Sequence, residues 1–140
     1  MSHYLDTTPE KGQRFYQQFH GTGKVVMLNL LRFREVADYS GLEHLAPEEA
    51  ISGREAYRLY MKYTQPHIEK IGSRVLFYGN AKDFLIGPDE EKWDMVLLVE
   101  HPSAAQFIAF AQDKGYLSTA GHRKAALEDS RLLPISQLGI

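Results

Sequence analysis

Residues Met95 to Val99 read Met-Val-Leu-Leu-Val, a run too short for a helix and apolar on both alternations. A strand of that kind lies in the middle of a sheet. It needs a neighbour on each edge and cover on both faces, so it constrains everything around it. Pro102 stops the strand, and Ser103 with Gln106 three residues on has the spacing of a capping box. A helix is therefore predicted to start at once, with Phe107, Ile108, Phe110 and Ala111 on one apolar side. After a turn at Gly115, a further helical piece is predicted over Tyr116–Leu127, and it carries His122 and Arg123.

Bulk properties narrow the setting. A chain of 140 residues is one domain by the usual size prior, and at 44% hydrophobic it can bury an ordinary core. The net charge of -2 arises from mixed signs without a block of either, which gives no electrostatic case for nucleic acid or an anionic membrane. There is no cysteine, so disulfides, thiolate nucleophiles and Cys-ligated zinc are excluded. No apolar run reaches about 18 residues and the N-terminus lacks a signal pattern, so a soluble cytoplasmic protein is the default expectation.

Taken in order, Thr7 or Thr8 with Pro9 signals a helix start, and Phe15, Tyr16 and Phe19 share one face of a short helix that Gly21 and Gly23 end. This helix is expected to cover an edge or a barrel mouth. Lys24–Phe33 is predicted as a second central strand, apolar on both alternations except for Asn29. Arg34–Ile51 is loop-like and long for a small domain, which marks it as functional or disordered. Ser52-Gly53 opens the longest helix, with Tyr57, Tyr60, Met61, Thr64, Ile68 and Ile71 on one stripe. Pro66 is expected to kink this helix without ending it, and Gly72 ends it. Arg74–Tyr78 is predicted as a strand that Phe84–Ile86 continues, with a turn at Gly87-Pro88-Asp89-Glu90 leading to Trp93 and the central strand. A last strand is predicted over Arg131–Ile135.

The resulting β-α-β-β-α-β order is an α+β, ferredoxin-like pattern with a four-stranded antiparallel sheet. Right-handed crossovers give strand order 4-1-3-2, which puts the two doubly apolar strands in the centre. Helices cover only one face of such a sheet. The other face is also apolar here, so the chain is expected to form a homodimer, sheet against sheet.

The chain also resembles a known family. The residues that carry the likeness are Tyr57-x-x-Tyr60, Pro66, Gly72, Trp93 to Glu100, Pro102-Ser103, Tyr116, and His122-Arg123 with Ala125-Ala126. The opening Val26–Phe33 is similar to a longer branch of the same family. Together they resemble domain-of-unknown-function family 1330, of the dimeric α/β-barrel superfamily, over about residues 24 to 135. The family's usual Glu-Phe-Pro-Ser stands here as Glu-His-Pro-Ser, with His101 as the departure. The resemblance implies a homodimer built on two sheets and no established activity.

Topology points to a site. The start of the long helix, with Tyr57 and Tyr60, lies at the C-terminal end of the first strand, near Asn29 and Arg32. The second crossover brings Tyr116, His122 and Arg123 to that same end, and Trp93 flanks it. We expect Asn29, Tyr57, Tyr60, Trp93, Tyr116 and Arg123 to bind a small organic or aromatic acid, with His122 as the proton-moving group and the 34–51 loop as a lid. Arg32 is an alternative to Asn29, because the two lie on opposite alternations. His101 reads as structural, and no pair among the six histidines has the spacing of a helical metal site, so neither metal nor cofactor is expected. The Gly21-x-Gly23 pair precedes a strand, so it is not a dinucleotide loop. Two functional readings follow. One is a small-molecule-binding protein acting as a cofactor-independent enzyme, of the monooxygenase or isomerase type that the superfamily resemblance implies. The other is a non-catalytic dimeric ligand-binding or stress-related module.

Overall fold

A computed structural model describes residues 2–139. Helix α1 (Pro9–Phe19) precedes strand β1 (Val25–Phe33), and helix α2 (Gly53–Lys70) leads to β2 (Arg74–Asn80) and β3 (Met95–His101). Helices α3 (Ala104–Ala111), α4 (Lys114–Thr119) and α5 (Gly121–Ala126) then return the chain to β4 (Leu127–Ile135). The sheet order is β2-β3-β1-β4, every neighbour antiparallel, with the two doubly apolar strands central as expected.

Register assigns the faces. Val25, Met27 and Leu31 of β1 are buried, and Met27 and Leu31 stand opposite Val99 and Met95 of β3. Leu31 and Leu97 pack with Ala56 and Tyr57 of α2 and with Ala126 and Leu127, so the helices lie on this face. The opposite alternation forms an apolar row across all four strands: Phe77, Leu98, Leu28 and Leu133. No helix among the described residues covers that row, and Phe77 and Leu133 at its ends are each 56% exposed.

Caps fix where the helices begin. Thr8 Oγ1 accepts from the Lys11 amide at 3.2 Å, Ser52 Oγ from Glu55 at 3.0 Å, and Ser103 Oγ from Gln106 at 3.1 Å. Gly53 must be glycine for a different reason. A Cβ there would run into the carbonyl oxygens of Arg34 and Ala126, where the start of α2 is pressed onto the end of β1. Helix α2 runs unbroken through Pro66.

Three elements differ from the sequence reading. Phe84–Ile86 does not continue β2; it lies in the β2–β3 connection, with Leu85 and Ile86 almost wholly exposed. The run Tyr116–Leu127 is two helices, because the chain turns at Ala120 and Gly121, where Leu42 and Leu45 pack against the backbone. Strand β4 starts at Leu127 rather than Arg131. Its first half is polar and still buried: Asp129 and Ser130 are each 4% exposed. They are tolerated because the N-terminal residues and Arg123 satisfy them.

Candidate functional site

A cavity of about 1200 Å³ lies between the helix-bearing face of the sheet and the helices. Its floor is Met27 and Asn29 of β1 with Leu97, Val99 and His101 of β3. One wall is α2, presenting Tyr57, Tyr60, Thr64 and Ile68. Phe107, Phe110, Tyr116 and Arg123 form the wall opposite, and Phe15 and Phe19 of α1 form the roof. The rings make a continuous arc. Tyr57 lies 5.2 Å from Tyr60, Tyr60 lies 6.1 Å from Tyr116, and Tyr116 lies 4.2 Å from Phe110. On the far side Phe107 meets Phe15 edge-on at 5.5 Å.

Polar groups are few and placed. Asn29 uses its amide nitrogen on the Met27 and Leu97 carbonyls at 3.3 and 3.4 Å, leaving Oδ1 without a partner among the described residues. The hydroxyls of Tyr60 and Tyr116 bond each other at 2.8 Å. Burial raises the pKa of Tyr57, and the Arg123 guanidinium only partly offsets it. Burial likewise holds Tyr60 well above an ordinary phenol, reinforced by Tyr116 and Tyr57. These phenols stay protonated and act as donors. Thr64 Oγ1, one turn beyond Tyr60, is buried with no partner among the described residues. Around these groups, the lining residues include Lys11, Arg14, Arg123, Lys124 and Arg131 against a single acid, Asp6. Arg131 is paired with Asp129 at 2.6 Å; Arg123 instead donates to the Leu5 carbonyl at 2.8 Å and to Ser130 Oγ at 3.2 Å.

Of the residues expected to converge, Asn29, Tyr57, Tyr60, Tyr116 and Arg123 line this cavity, whereas Trp93, His122 and Arg32 do not. His122 is 4% exposed but turned away: its Nδ1 meets the Tyr39 hydroxyl at 2.7 Å and its ring stacks on Tyr63 at 5.5 Å. The reason is helical geometry. Residues i and i+1 do not share a face, so with Arg123 pointing inward on α5 its neighbour cannot. Trp93 donates to Glu91 at 2.8 Å and carries the Arg131 guanidinium 5.0 Å over its ring. Arg32, on the alternation opposite to Asn29, pairs with Glu128 at 2.9 Å at the surface.

The loop of residues 34–51 is not the lid. Its backbone is tied down by Ala37 to Ile51 and by Asp38 to Ala125, each at 2.9 Å, and none of its residues lines the cavity. Helix α1 and the residues before it cover the cavity instead. The signal for this was Phe15 and Phe19, an apolar pair four residues apart on a helix otherwise too polar for a core. His101 lines the cavity as well, its Nδ1 2.7 Å from Ser73 Oγ, and burial pushes its pKa down from 6.5 to about 4. Among the described residues no three His, Cys, Asp or Glu side chains gather in a way that could hold a metal ion. No helix among them is long and apolar enough to cross a membrane.

The βαββαβ order, the antiparallel sheet and the chamber beneath its helices define a ferredoxin-like α+β protein. The chain belongs to the family described as a domain of unknown function, DUF1330, whose model matches residues 47–135. Strand β1 and helix α1 fall outside that match. They fall inside the likeness to RPA0582, a protein of unknown function from Rhodopseudomonas palustris. Its crystal structure is 34% identical, with a TM-score of 0.85 over 99% of this chain and all of that one. The methylated form of RPA0582 gives 35% identity and a TM-score of 0.87, over 99% of this chain and 98% of that one. A dimeric ferredoxin-like protein of unknown function from Thermobifida fusca is more distant: 9% identical, with a TM-score of 0.48 over 84% of this chain and 94% of that one. No curated protein matches the chain.

Proposed function

We propose that this protein captures a small apolar or aromatic organic acid in the chamber between sheet and helices, without turning it over. The observation that carries the reading is the surplus of basic side chains around a chamber whose walls are otherwise aromatic and aliphatic. An aromatic or alkyl body fits the ring arc, and a carboxylate fits Arg123, a half-buried guanidinium that, like the exposed Arg14 on the roof, holds no carboxylate among the described residues. Asn29 Oδ1 and the Tyr57 hydroxyl offer further polar anchors. A catalyst acting by proton transfer needs a group that titrates near neutrality. His101 is held neutral by burial and His122 faces Tyr39, which favours capture over turnover. One observation supports the enzymatic reading, a cofactor-independent isomerase or monooxygenase: Tyr57, Tyr60 and Tyr116 could polarise a bound carbonyl oxygen together.

The test is calorimetric titration with 2-naphthoate and with its neutral counterpart 2-naphthol. Arg123→Met is expected to weaken naphthoate roughly 10- to 100-fold, the worth of a charge-assisted hydrogen bond, and to leave naphthol nearly unchanged. Equal losses for both compounds, or none for naphthoate, would refute the assignment of the carboxylate to Arg123.

The same reading includes a homodimer through the helix-free face. The row Phe77, Leu98, Leu28 and Leu133 is the kind of continuous apolar surface that a second copy would bury.

A further inference from the structure

The roof of the chamber is attached unlike the rest of the fold. Helix α1 has no buried residue of its own, and its apolar packing comes from Phe15 and Phe19, which lie with Phe107 against Val25, Met27 and Ala104. Behind it, the link to β1 contains Gly21 and Gly23, with φ of 75° and 85°, both in open space where an added Cβ would meet nothing. Only glycine adopts such angles freely, and among the described residues the turn they make is held to the helix by Thr22 alone, whose amide and hydroxyl donate to the Phe19 carbonyl at 3.2 and 2.7 Å. In front of α1 the chain is fastened by polar contacts. The Tyr4 amide donates to Asp129 Oδ1 at 2.8 Å, Ser130 Oγ donates to the Tyr4 carbonyl at 2.6 Å, and Arg123 Nη1 donates to the Leu5 carbonyl at 2.8 Å. The Tyr4 ring lies 4.8 Å from the Arg131 guanidinium.

We propose that residues 4–19 are a hinged lid, pivoting at Gly21 and Gly23 and latched by Arg123 and Ser130, and that swinging this lid widens the way by which an organic acid reaches the chamber. The proposal rests on the reading of the chamber as a ligand site and adds how that site is gated. Helix α1 supplies the roof of a chamber that is partly open at its side, so the way in for a ligand that fills the ring arc is widest when the roof swings on its glycine pivots. The latch and the proposed anion site share one side chain. Arg123 spends two of its five N–H donors on Leu5 and Ser130, so a carboxylate that draws both arms inward pulls Nη1 away from the Leu5 carbonyl, a neutral acceptor, toward a charged one. A carboxylate at Arg123 therefore competes with the closed latch.

Two measurements decide it. The first is amide hydrogen exchange on the protein without ligand. Amides of α1 are expected to exchange at least tenfold faster than those in the middle of α2, because the lid opens without global unfolding. Ser130→Ala removes a strap contact while leaving the charge of Arg123. It should speed exchange in α1 several-fold and leave α2 and β1 as they were. Exchange in α1 as slow as in α2, or a Ser130→Ala effect spread evenly over α1, α2 and β1, would overturn the lid. The second is stopped-flow binding of 2-naphthoate, whose association should be faster in Ser130→Ala than in the wild type. Unchanged association with binding intact would overturn gating. If 2-naphthoate binds neither protein while α1 still exchanges as expected, the acid-capture reading fails and the lid stands.

Discussion

His101 ties the stability of this fold to pH in a way that can be worked from its surroundings. The imidazole is 2% exposed, its Nδ1 is 2.7 Å from Ser73 Oγ, and Phe107 and Phe110 pack against it at ring distances of 5.0 and 5.9 Å. Burial among these groups penalises the charged ring and lowers its pKa from 6.5 to about 4. The unfolded chain therefore binds more protons than the folded one between those values. Stability conferred by the neutral ring is full above pH 6.5, falls as the pH drops, and is lost below about 4. At about 1.36 kcal/mol per pKa unit the whole loss is about 3 kcal/mol, of which roughly 1.4 is gone by about pH 5.5 and roughly 2.5 by about pH 4.5. The perturbation is His101→Asn, which keeps a polar partner for Ser73 and removes the titration. Urea unfolding of both proteins at the three pH values, at one protein concentration, isolates this residue. Every other carboxyl and imidazole remains in both chains. The wild type should lose about 2.5 kcal/mol more than the variant between pH 7 and 4.5. Parallel pH profiles would refute the reasoning, because they would mean that the buried ring accepts its proton as easily folded as unfolded.

Two further predictions concern packing. Leu98→Asp places a charge in the helix-free apolar row and should convert a wild-type dimer to monomer by light scattering; a wild type already monomeric at micromolar concentration would refute the interface. Met27 and Leu97 would be the wrong residues for this test, because both face the helices and their loss would report on the core. Gly53→Ala drives a methyl group into the carbonyls of Arg34 and Ala126 and should cost about 3 kcal/mol or more in chemical denaturation, whereas Gly12→Ala, inside α1 where nothing lies near, should be neutral or stabilise by up to about 1 kcal/mol.

How far the sequence foretold this protein depended on whether a residue's role was set locally. Ser52 and Ser103 cap their helices from three residues away, and Met95–Val99 is apolar on both sides whatever lies around it, so helix starts and central strands could be read directly. Strand β4 could not, because Glu128-Asp129-Ser130 looks like a loop until Tyr4, more than a hundred residues earlier, supplies hydrogen bonds that let Asp129 and Ser130 be buried. That α1 is a cover was legible, but what it covers was not. Nothing local distinguishes Phe15 and Phe19 as roof from any amphipathic pair, whereas the long 34–51 loop draws attention and is pinned by Ala125 and Ile51. Tyr57, Tyr60, Tyr116, Arg123 and Asn29 do line one cavity, but it lies over the N-terminal half of β1 and takes in His101, rather than sitting at the C-terminal end of that strand. His122 and Trp93 were misplaced because topology does not fix which way a side chain turns.

The two borders of the sheet are not equivalent, and this limits how copies of the chain could stick together. Along β4 the border carries Pro134, which offers no N–H, and its first half is strapped over by the N-terminal residues. Along β2 the border is Leu76, Phe77 and Tyr78, exposed by 40, 56 and 59%, with no proline and no covering segment among the described residues. An open-ended fibre needs each copy to offer one border and accept on the other. Here the β4 border is blunted, so β2 could join only to another β2, a self-complementary contact that closes after two copies. The strap over the chamber thus also lies beside this border, held to it through the Asp129 and Ser130 side chains, and a variant that frees it would loosen the border as well as the roof.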